Sequence, residues 1–223
     1  MRRGAAAYIK LMHNESSYPV NRLERGMKSK GKRAQQRLKT RAAILDATES
    51  IMREEGYAAV SSRRIEEKAG LKSQLVHYHF GNMNKVFLAL YRRSEELFFS
   101  RMLKVLASAD PLKKLWDLSI ATEESTLVLE FTAIATHRKE FRDELVRSAD
   151  RARSLENAIL AKAFGNRKSY NLKVNPNVFS FILQSVSRAV IMERGVGITK
   201  GHSEILEFIE SILKNWKLES DDD

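Results

Sequence analysis

Apolar residues recur along this chain at intervals of three and four, and alternating strand patterns are scarce. That period belongs to helices that bury one face. Ile44, Leu45, Thr48, Ile51 and Met52 predict a first helix over 36–55, closed by Gly56 in the left-handed conformation that ends helices. Ser61 reads as the N-cap of a short second helix, with Ile65 and Ala69 turned inward and Gly70 at its end. A third short helix is predicted over 73–79, and Phe80-Gly81-Asn82 interrupts the pattern. Val86, Phe87, Leu90, Tyr91, Ser94, Leu97, Phe98, Met102 and Val105 then mark a long helix with a 3.5-residue stripe.

The second half continues in the same period. Asp110-Pro111 joins a capping residue to a proline at the first helical position. The helix it opens carries Leu115, Trp116, Ile120, Leu127, Phe131 and Ile134 and is expected to bend or break near Glu123-Glu124. Shorter helices are predicted over 138–149 and 151–164, the latter stopped by Gly165. Asn175-Pro176 repeats the cap-plus-proline signal and opens a helix to Arg194, stopped by Gly195. Ser203 is the cap candidate for a last helix reaching Leu218. No internal repeat is found. The fold class is therefore all-α: an N-terminal three-helix head and a C-terminal helical bundle.

Charge divides the chain unevenly. Residues 1–41 hold 12 Lys/Arg against 2 Asp/Glu, whereas the remainder holds 27 against 26. A basic arm over 1–35, polar and without a periodic stripe, reads either as a solvated disordered tail or as an arm that neutralises phosphates. Met1 and Met27 are both candidate starts. The tail over 219–223 is acidic. There is no cysteine, which excludes disulfides and thiolate metal sites and fits a reducing compartment. No apolar run approaches the roughly 20 residues that span a bilayer, so a cytoplasmic location is expected.

The informative segment runs from Ser61 to His79. Two short helices meet at Ala69-Gly70-Leu71, the glycine turn of a helix-turn-helix. Ile65, Leu71 and Val76 form the small core that sets the helices across each other. In this motif the second helix presents its N-terminal residues to base edges, here Lys72, Ser73, Gln74 and Leu75. Lys72 suits phosphate or guanine, Gln74 suits adenine in a bidentate pair, and Leu75 suits a thymine methyl.

The run Glu55-Gly56-Tyr57, Ser61-Ser62-Arg63-Arg64-Ile65, Ala69-Gly70-Leu71 and Leu75-Val76-His77-Tyr78-His79-Phe80-Gly81-Asn82 resembles the head of the tetracycline-repressor (TetR) family over about 37–91. The resemblance implies a homodimeric transcription regulator, a repressor in the first instance. It implies DNA contacts at Ser61, Ser62, Arg63, Lys72, Ser73, Gln74, Leu75, His77, Tyr78 and Lys85. His77 stands where the family often has a phosphate-contacting Tyr, and His79 with Phe80 is expected to lock the third helix to the fourth. Two positions depart from the family. Met83 replaces a phosphate-binding Lys, and Glu66 replaces a small residue, so that it must turn outward or pair with Arg63 or Lys72.

The remaining features point away from other chemistry. His77 and His79 lie on different helix faces and do not suggest a metal site, while His13, His137 and His202 read as surface. No catalytic constellation, phosphate loop or cofactor motif stands out, and Asp143-Glu144 reads as a solvated face. No enzyme, cofactor or metal is expected. The expected organisation is a DNA-binding head over 36–82 and an effector-sensing and dimerisation domain over 83–218. Phe98, Met102, Trp116, Phe131, Thr132 and Gln184 are the pocket candidates, with Ser125 and Thr136 as further polar anchors, which suggests a small, mostly apolar ligand. Helices 176–194 and 203–218 are expected to pair with their twins, through faces that include Val178, Phe179, Ile182, Val186, Ala189 and Val190 on one and Ile205, Leu206, Phe208, Ile209, Ile212, Leu213 and Trp216 on the other. The long fourth helix is the expected link between the sites. A ligand-blind architectural DNA binder is the alternative reading.

Overall fold

The computed structural model describes residues 32–164 and 175–218, and all regular structure among them is helical. The described residues form two compact units. One contains those through Ser50 together with Val60–Val86, and the other contains Ile51–Ala59 and those from Phe87 onward.

The first unit is built from α1 (Lys32–Glu55) as far as Ser50, α2 (Ser62–Lys68), α3 (Leu75–Phe80) and the opening turn of α4 (Met83–Ala107). α1 begins at Lys32, ahead of the expected 36, because Lys, Arg, Ala and Gln are good helix formers even without an apolar stripe. The rest of the predicted arm lies outside the described residues. Ser61 caps α2 as expected, its extended backbone (φ −140°) letting the hydroxyl accept from Arg64 N at 3.3 Å. Gly70 (φ 64°) closes the helix: Leu71 N donates to Glu66 O at 2.8 Å and Gly70 N to Glu67 O at 3.2 Å, the paired bonds of a Schellman end. The core is small and apolar: Ile44, Ile65, Val76, Phe80 and Val86 are buried. Each such side chain contributes about 1.5–3 kcal/mol of burial. Thr48, equally buried, satisfies its hydroxyl by donating to Ile44 O at 2.7 Å.

The second unit packs the rest of α4 with α5 (Pro111–Ser119), α6 (Thr122–His137), α7 (Lys139–Phe164), α8 (Pro176–Gly195) and α9 (His202–Leu218). Asp110 and Asn175 cap α5 and α8 as expected, each ahead of a proline. Gly56 takes φ 83°, and Tyr57 N in the short 3-10 turn Tyr57–Ala59 donates to Glu130 Oε2 on α6 at 2.6 Å. An aromatic cluster of Tyr91, Phe131 and Phe141 joins α4, α6 and α7 through ring centroids 5.1–5.8 Å apart. Burial pushes the Tyr91 hydroxyl up to about 12. No helix among the described residues is long and apolar enough to cross a membrane.

Several expectations are corrected here. On α4 the buried stripe steps by four from Phe87 and Tyr91 to Phe99 and continues through Met102 and Leu106, so Leu97 is exposed and Phe98 only half-buried. A straight helix drifts past a 3.5-residue spacing. The break between α5 and α6 falls at Ile120-Ala121, ahead of the Glu pair. The two helices predicted over 138–149 and 151–164 are one, since no Gly or Pro interrupts α7 and its buried face runs unbroken from Phe141 to Phe164. Gly165 and the acidic tail lie outside the described residues. Ser203 is not a cap: α9 already starts at His202, and the Ser203 hydroxyl donates to Glu204 Oε2 at 2.9 Å. His202 is buried, its Nε2 2.7 Å from Glu193 Oε2. Glu144 is buried as well, accepting from Arg92 Nε at 2.7 Å and Arg147 Nη2 at 2.5 Å, whereas its neighbour Asp143 is exposed.

Candidate nucleic-acid interface

The α2–turn–α3 segment has the geometry of a helix-turn-helix, with a shorter second helix than expected. Residues 73 and 74 belong to the turn, and α3 starts at Leu75. The delay has a backbone cause. Gln74, the N-cap, takes φ 72° and ψ 0°, which is left-handed and cannot continue as α-helix. Its carbonyl accepts from Tyr78 N at 2.9 Å, the first bond of α3.

α3 divides into an anchored and a free face. Val76 and Phe80 are buried, while Lys72, Ser73, Gln74, His77 and Tyr78 are exposed and Leu75 is half-buried. Ser73, Gln74, Leu75, His77 and Tyr78 line a surface concavity of about 670 Å³. Tyr78 is 72% exposed, so core packing does not account for the ring at this position. The His77 ring Nδ1 lies 3.2 Å from Gly81 O, which orients the imidazole while leaving it at the surface. On α2, Ser61 and Arg63 are exposed and Ser62 half-buried. Lys85 is exposed at the start of α4, where Asn82 Oδ1 accepts from its backbone N at 3.0 Å. Met83 beside it is half-buried and offers no charge.

Two residues outside the expected contact set hold this surface. Glu66 neither turns outward nor pairs with Arg63 or Lys72: it is buried, and its Oε1 accepts from Val76 N at 3.1 Å. Arg41 of α1 donates from Nη1 to His79 O at 2.5 Å and stacks its guanidinium 4.0 Å from the Phe80 ring centroid. It thereby ties down the C-terminal end of α3. The two partners are 38 residues apart in sequence, so no local pattern announces them. His79 acts through this carbonyl, since its ring Nδ1 is buried without a hydrogen-bond partner. Burial, with Arg41 and Arg37 nearby, holds the imidazole below the ordinary histidine range.

The candidates in the second unit are more dispersed. Met102, Trp116 and Phe131 are core residues, and Phe131 is committed to the aromatic cluster. Thr132 and Thr136 are exposed, with hydroxyls bonded back to Val128 O and Ala133 O. The Ser125 side chain lies outside the described residues. Gln184 alone enters a buried polar cluster: its Nε2 donates to Glu156 Oε1 at 3.1 Å and to Ser119 Oγ at 3.4 Å, while Ser180 Oγ donates to Glu156 Oε2 at 2.5 Å. Glu156 gave no signal in the sequence, because one acid in a charged helix looks like a solvated position. On α8 and α9, Phe179, Val190, Ile209 and Leu213 are buried, whereas Val178, Phe181, Ile182 and Phe208 are 46–58% exposed. The Trp216 side chain lies outside the described residues.

Known proteins share both halves of this arrangement. Residues 44–90 match the family model for bacterial regulatory proteins of the tetR family. The HTH-type transcriptional repressor AcnR of Corynebacterium efficiens is 28% identical over 186 residues, covering 78% of this chain and 93% of that protein. Among solved structures, a Saccharomonospora viridis protein described as a transcriptional regulator, in complex with choline, superposes with a TM-score of 0.67 at 20% identity, covering 77% of this chain and 96% of that one. A TetR transcription regulator from Haloarcula marismortui gives a TM-score of 0.62 at 19% identity, covering 80% of this chain and 96% of that one. With the helix-turn-helix geometry and the all-helical fold, these likenesses assign residues 44–90 to the DNA-binding head of the tetR family of bacterial regulatory proteins, and the chain as a whole is similar to transcription regulators of that family.

Proposed function

We propose that two copies of this chain grip a near-palindromic operator as a repressor, and that a small effector bound in the second unit releases them. The observation that carries the DNA half is the free face of α3. Gln74, His77 and Tyr78 are exposed together around one concavity while Val76 and Phe80 anchor the opposite side. In this reading Gln74 and Leu75 read bases. Ser61, Ser62, Arg63, Ser73, His77, Tyr78 and Lys85 position the backbone, and Lys72 serves either role. In this reading the DNA-binding head is residues 36–82, and residues 83–218 sense and dimerise. Dimerisation is supported by Val178, Phe181 and Ile182, which share one face of α8 at i, i+3 and i+4, with Phe208 exposed on α9.

For the effector, the Glu156–Ser180–Gln184 cluster favours a ligand that is mostly apolar but carries one hydrogen-bond donor or positive charge. Choline, held by the Saccharomonospora viridis protein, is a suitable first probe. α4 gives the two sites a continuous connection. Half-sites about 34–36 Å apart leave little tolerance for spreading, so a small tilt of that helix suffices for release.

Selection of duplexes from a random library tests the reading. The expected result is a recurring inverted repeat. A retained pool without a motif would favour an architectural, ligand-blind binder. On the selected duplex, Gln74→Ala is expected to cost about 1–3 kcal/mol and to relax preference at one base pair. Phe208→Arg is expected to give a monomer by sedimentation and to weaken operator binding. Deletion of residues 1–31 tests the arm, with a flatter salt dependence expected if it contacts phosphates.

A further inference from the structure

Gln74 is the one non-glycine residue with positive φ among the described residues (φ 72°). A left-handed backbone suits glycine, or Asn and Asp with their short, locally bonding side chains; glutamine has neither advantage. Such an outlier persists only where its surroundings over-determine it, and outliers of this kind gather at functional sites. Here the surroundings trace to one residue. Glu66 brackets the turn: its backbone O accepts from Leu71 N at 2.8 Å on one side, and its buried carboxylate accepts from Val76 N at 3.1 Å on the other. The six-residue segment from Leu71 to Val76 is thereby held at both ends by the same residue, once through its backbone and once through its side chain.

The bond to Val76 N also replaces an ordinary cap. An N-cap residue usually turns its own side chain onto the second or third amide of its helix. Gln74 makes no such bond, and Glu66 reaches in from α2 to take that amide instead. The Gln74 amide is therefore left exposed beside Ser73, His77 and Tyr78.

We propose that Glu66 is a positioning residue for DNA reading: by bracketing the turn it holds Gln74 in its left-handed backbone and leaves the Gln74 amide free for a base. This rests on the head being the DNA-reading element with Gln74 as a base contact. Glu66 itself touches no DNA. It sets where Gln74 stands.

The test uses the full chain and the duplex that the wild type selects from a random library, against a length-matched random duplex. Affinities are measured by anisotropy at one salt concentration, and melting temperatures by circular dichroism. Glu66→Leu keeps the volume and removes the acceptor. It is expected to lower the ratio of selected to random affinity about 10- to 100-fold while leaving affinity for random duplex unchanged. Glu66→Gln, whose amide oxygen still accepts from Val76 N, is expected to retain the ratio. Gln74→Gly is expected to raise the melting temperature, because glycine takes this backbone without strain, and to lose the ratio with the base contact.

A folded E66L protein with an unchanged ratio, or one whose two affinities fall in parallel, overturns the proposal, since a merely structural role predicts that pattern. An E66Q protein that behaves like E66L overturns it too. If E66L alone is unfolded, the substitution is repeated in the Q74G background. Bracketing predicts that the double variant folds, because glycine needs no holding, and a double variant that stays unfolded overturns the idea. A wild type without preference for any duplex sinks the DNA reading and this proposal together. A wild type with a preference upholds the DNA reading, and the E66L and E66Q ratios then bear on Glu66 alone.

Discussion

Head and bundle each bury carboxylates and satisfy them by different means. In the head, Glu66 meets a backbone N–H and a turn is held. In the bundle, Glu144 meets two guanidinium groups, those of Arg92 and Arg147, and its carboxyl is held below the ordinary range first by the Arg92 bond. Glu156 meets the neutral donors Ser180 and Gln184, and burial pushes its carboxyl above the ordinary range although Ser180, Arg153 and Arg188 oppose the rise. The same side chain thus serves as a geometric brace, as one end of an ion pair and as an acid whose charge is incompletely compensated. In the reading proposed above, that last acid is the one a ligand would meet, in the unit to which we attribute sensing.

The largest effect should come from the cores, and it separates the units. Trp116 is fully buried in the bundle, and its indole Nε1 has no hydrogen-bond partner, so its contribution is packing. Trp116→Ala is expected to cost about 3–5 kcal/mol in a denaturant melt, and Ile65→Ala in the smaller head about 2–5 kcal/mol. Only the head substitution should weaken DNA binding under conditions where both proteins remain folded. A Trp116→Ala protein of near-native stability would mean that the bundle interior already contains space, and the effector would then be sought beside that ring. In the proposed reading Trp116→Ala or Met102→Ala should also blunt effector release, and because both side chains are core, release must be compared at matched stability.

The two units also differed in how much of them could be read from sequence. Caps and turn glycines are local signals, and they located Ser61, Gly70, Asp110 and Asn175 correctly. The free face of α3 was legible because a short helix with two anchors leaves few choices. What escaped was non-local or conformational. Arg41 reaches His79 across 38 residues. Gln74 delays α3 through a backbone state that its type disfavours. Glu66 was expected to turn outward or to pair with Arg63 or Lys72, whereas it is buried and accepts from Val76 N at 3.1 Å. In the bundle, one Asp in the middle of α7 resembled a break, yet no Gly or Pro supports one. Aromatic and apolar residues at helical spacing identified a core but could not separate core from pocket: Thr132 fell outside, and Gln184 alone led to a polar cluster.

A smaller effect sharpens the contrast between the two bundle acids. Glu144 has a folded pKa lowered from 4.5, so its contribution is fully present above that value and is lost as the pH falls through the folded pKa. Both arginine side chains are about half exposed, which limits the pair to about 1–2 kcal/mol. Glu144→Gln should therefore lower stability at neutral pH and make the acid limb of the stability profile shallower. An unchanged acid limb would show that solvent already screens the cluster.

The smallest effect has the opposite sign and bears most directly on function. Glu156 has a folded pKa raised from 4.5, so the native state holds its proton more tightly than the unfolded chain does. Stability must then fall as the pH rises from 4.5 through the folded pKa, and the penalty persists above it. Glu156→Gln removes the ionisation, and Ser180 and Gln184 can still bond to an amide. The variant should be slightly more stable at neutral pH, by about 1 kcal/mol or less, with a flatter profile above 4.5. If the cluster anchors a cationic effector as proposed, choline as the probe should raise the melting temperature of the wild type more than that of the variant, because a bound cation offsets the buried charge only where there is one. If Glu156→Gln instead destabilises at neutral pH, the carboxylate is already compensated within the protein. The cluster would then be a structural network like that of Glu144, and the effector would have to find its polar anchor elsewhere.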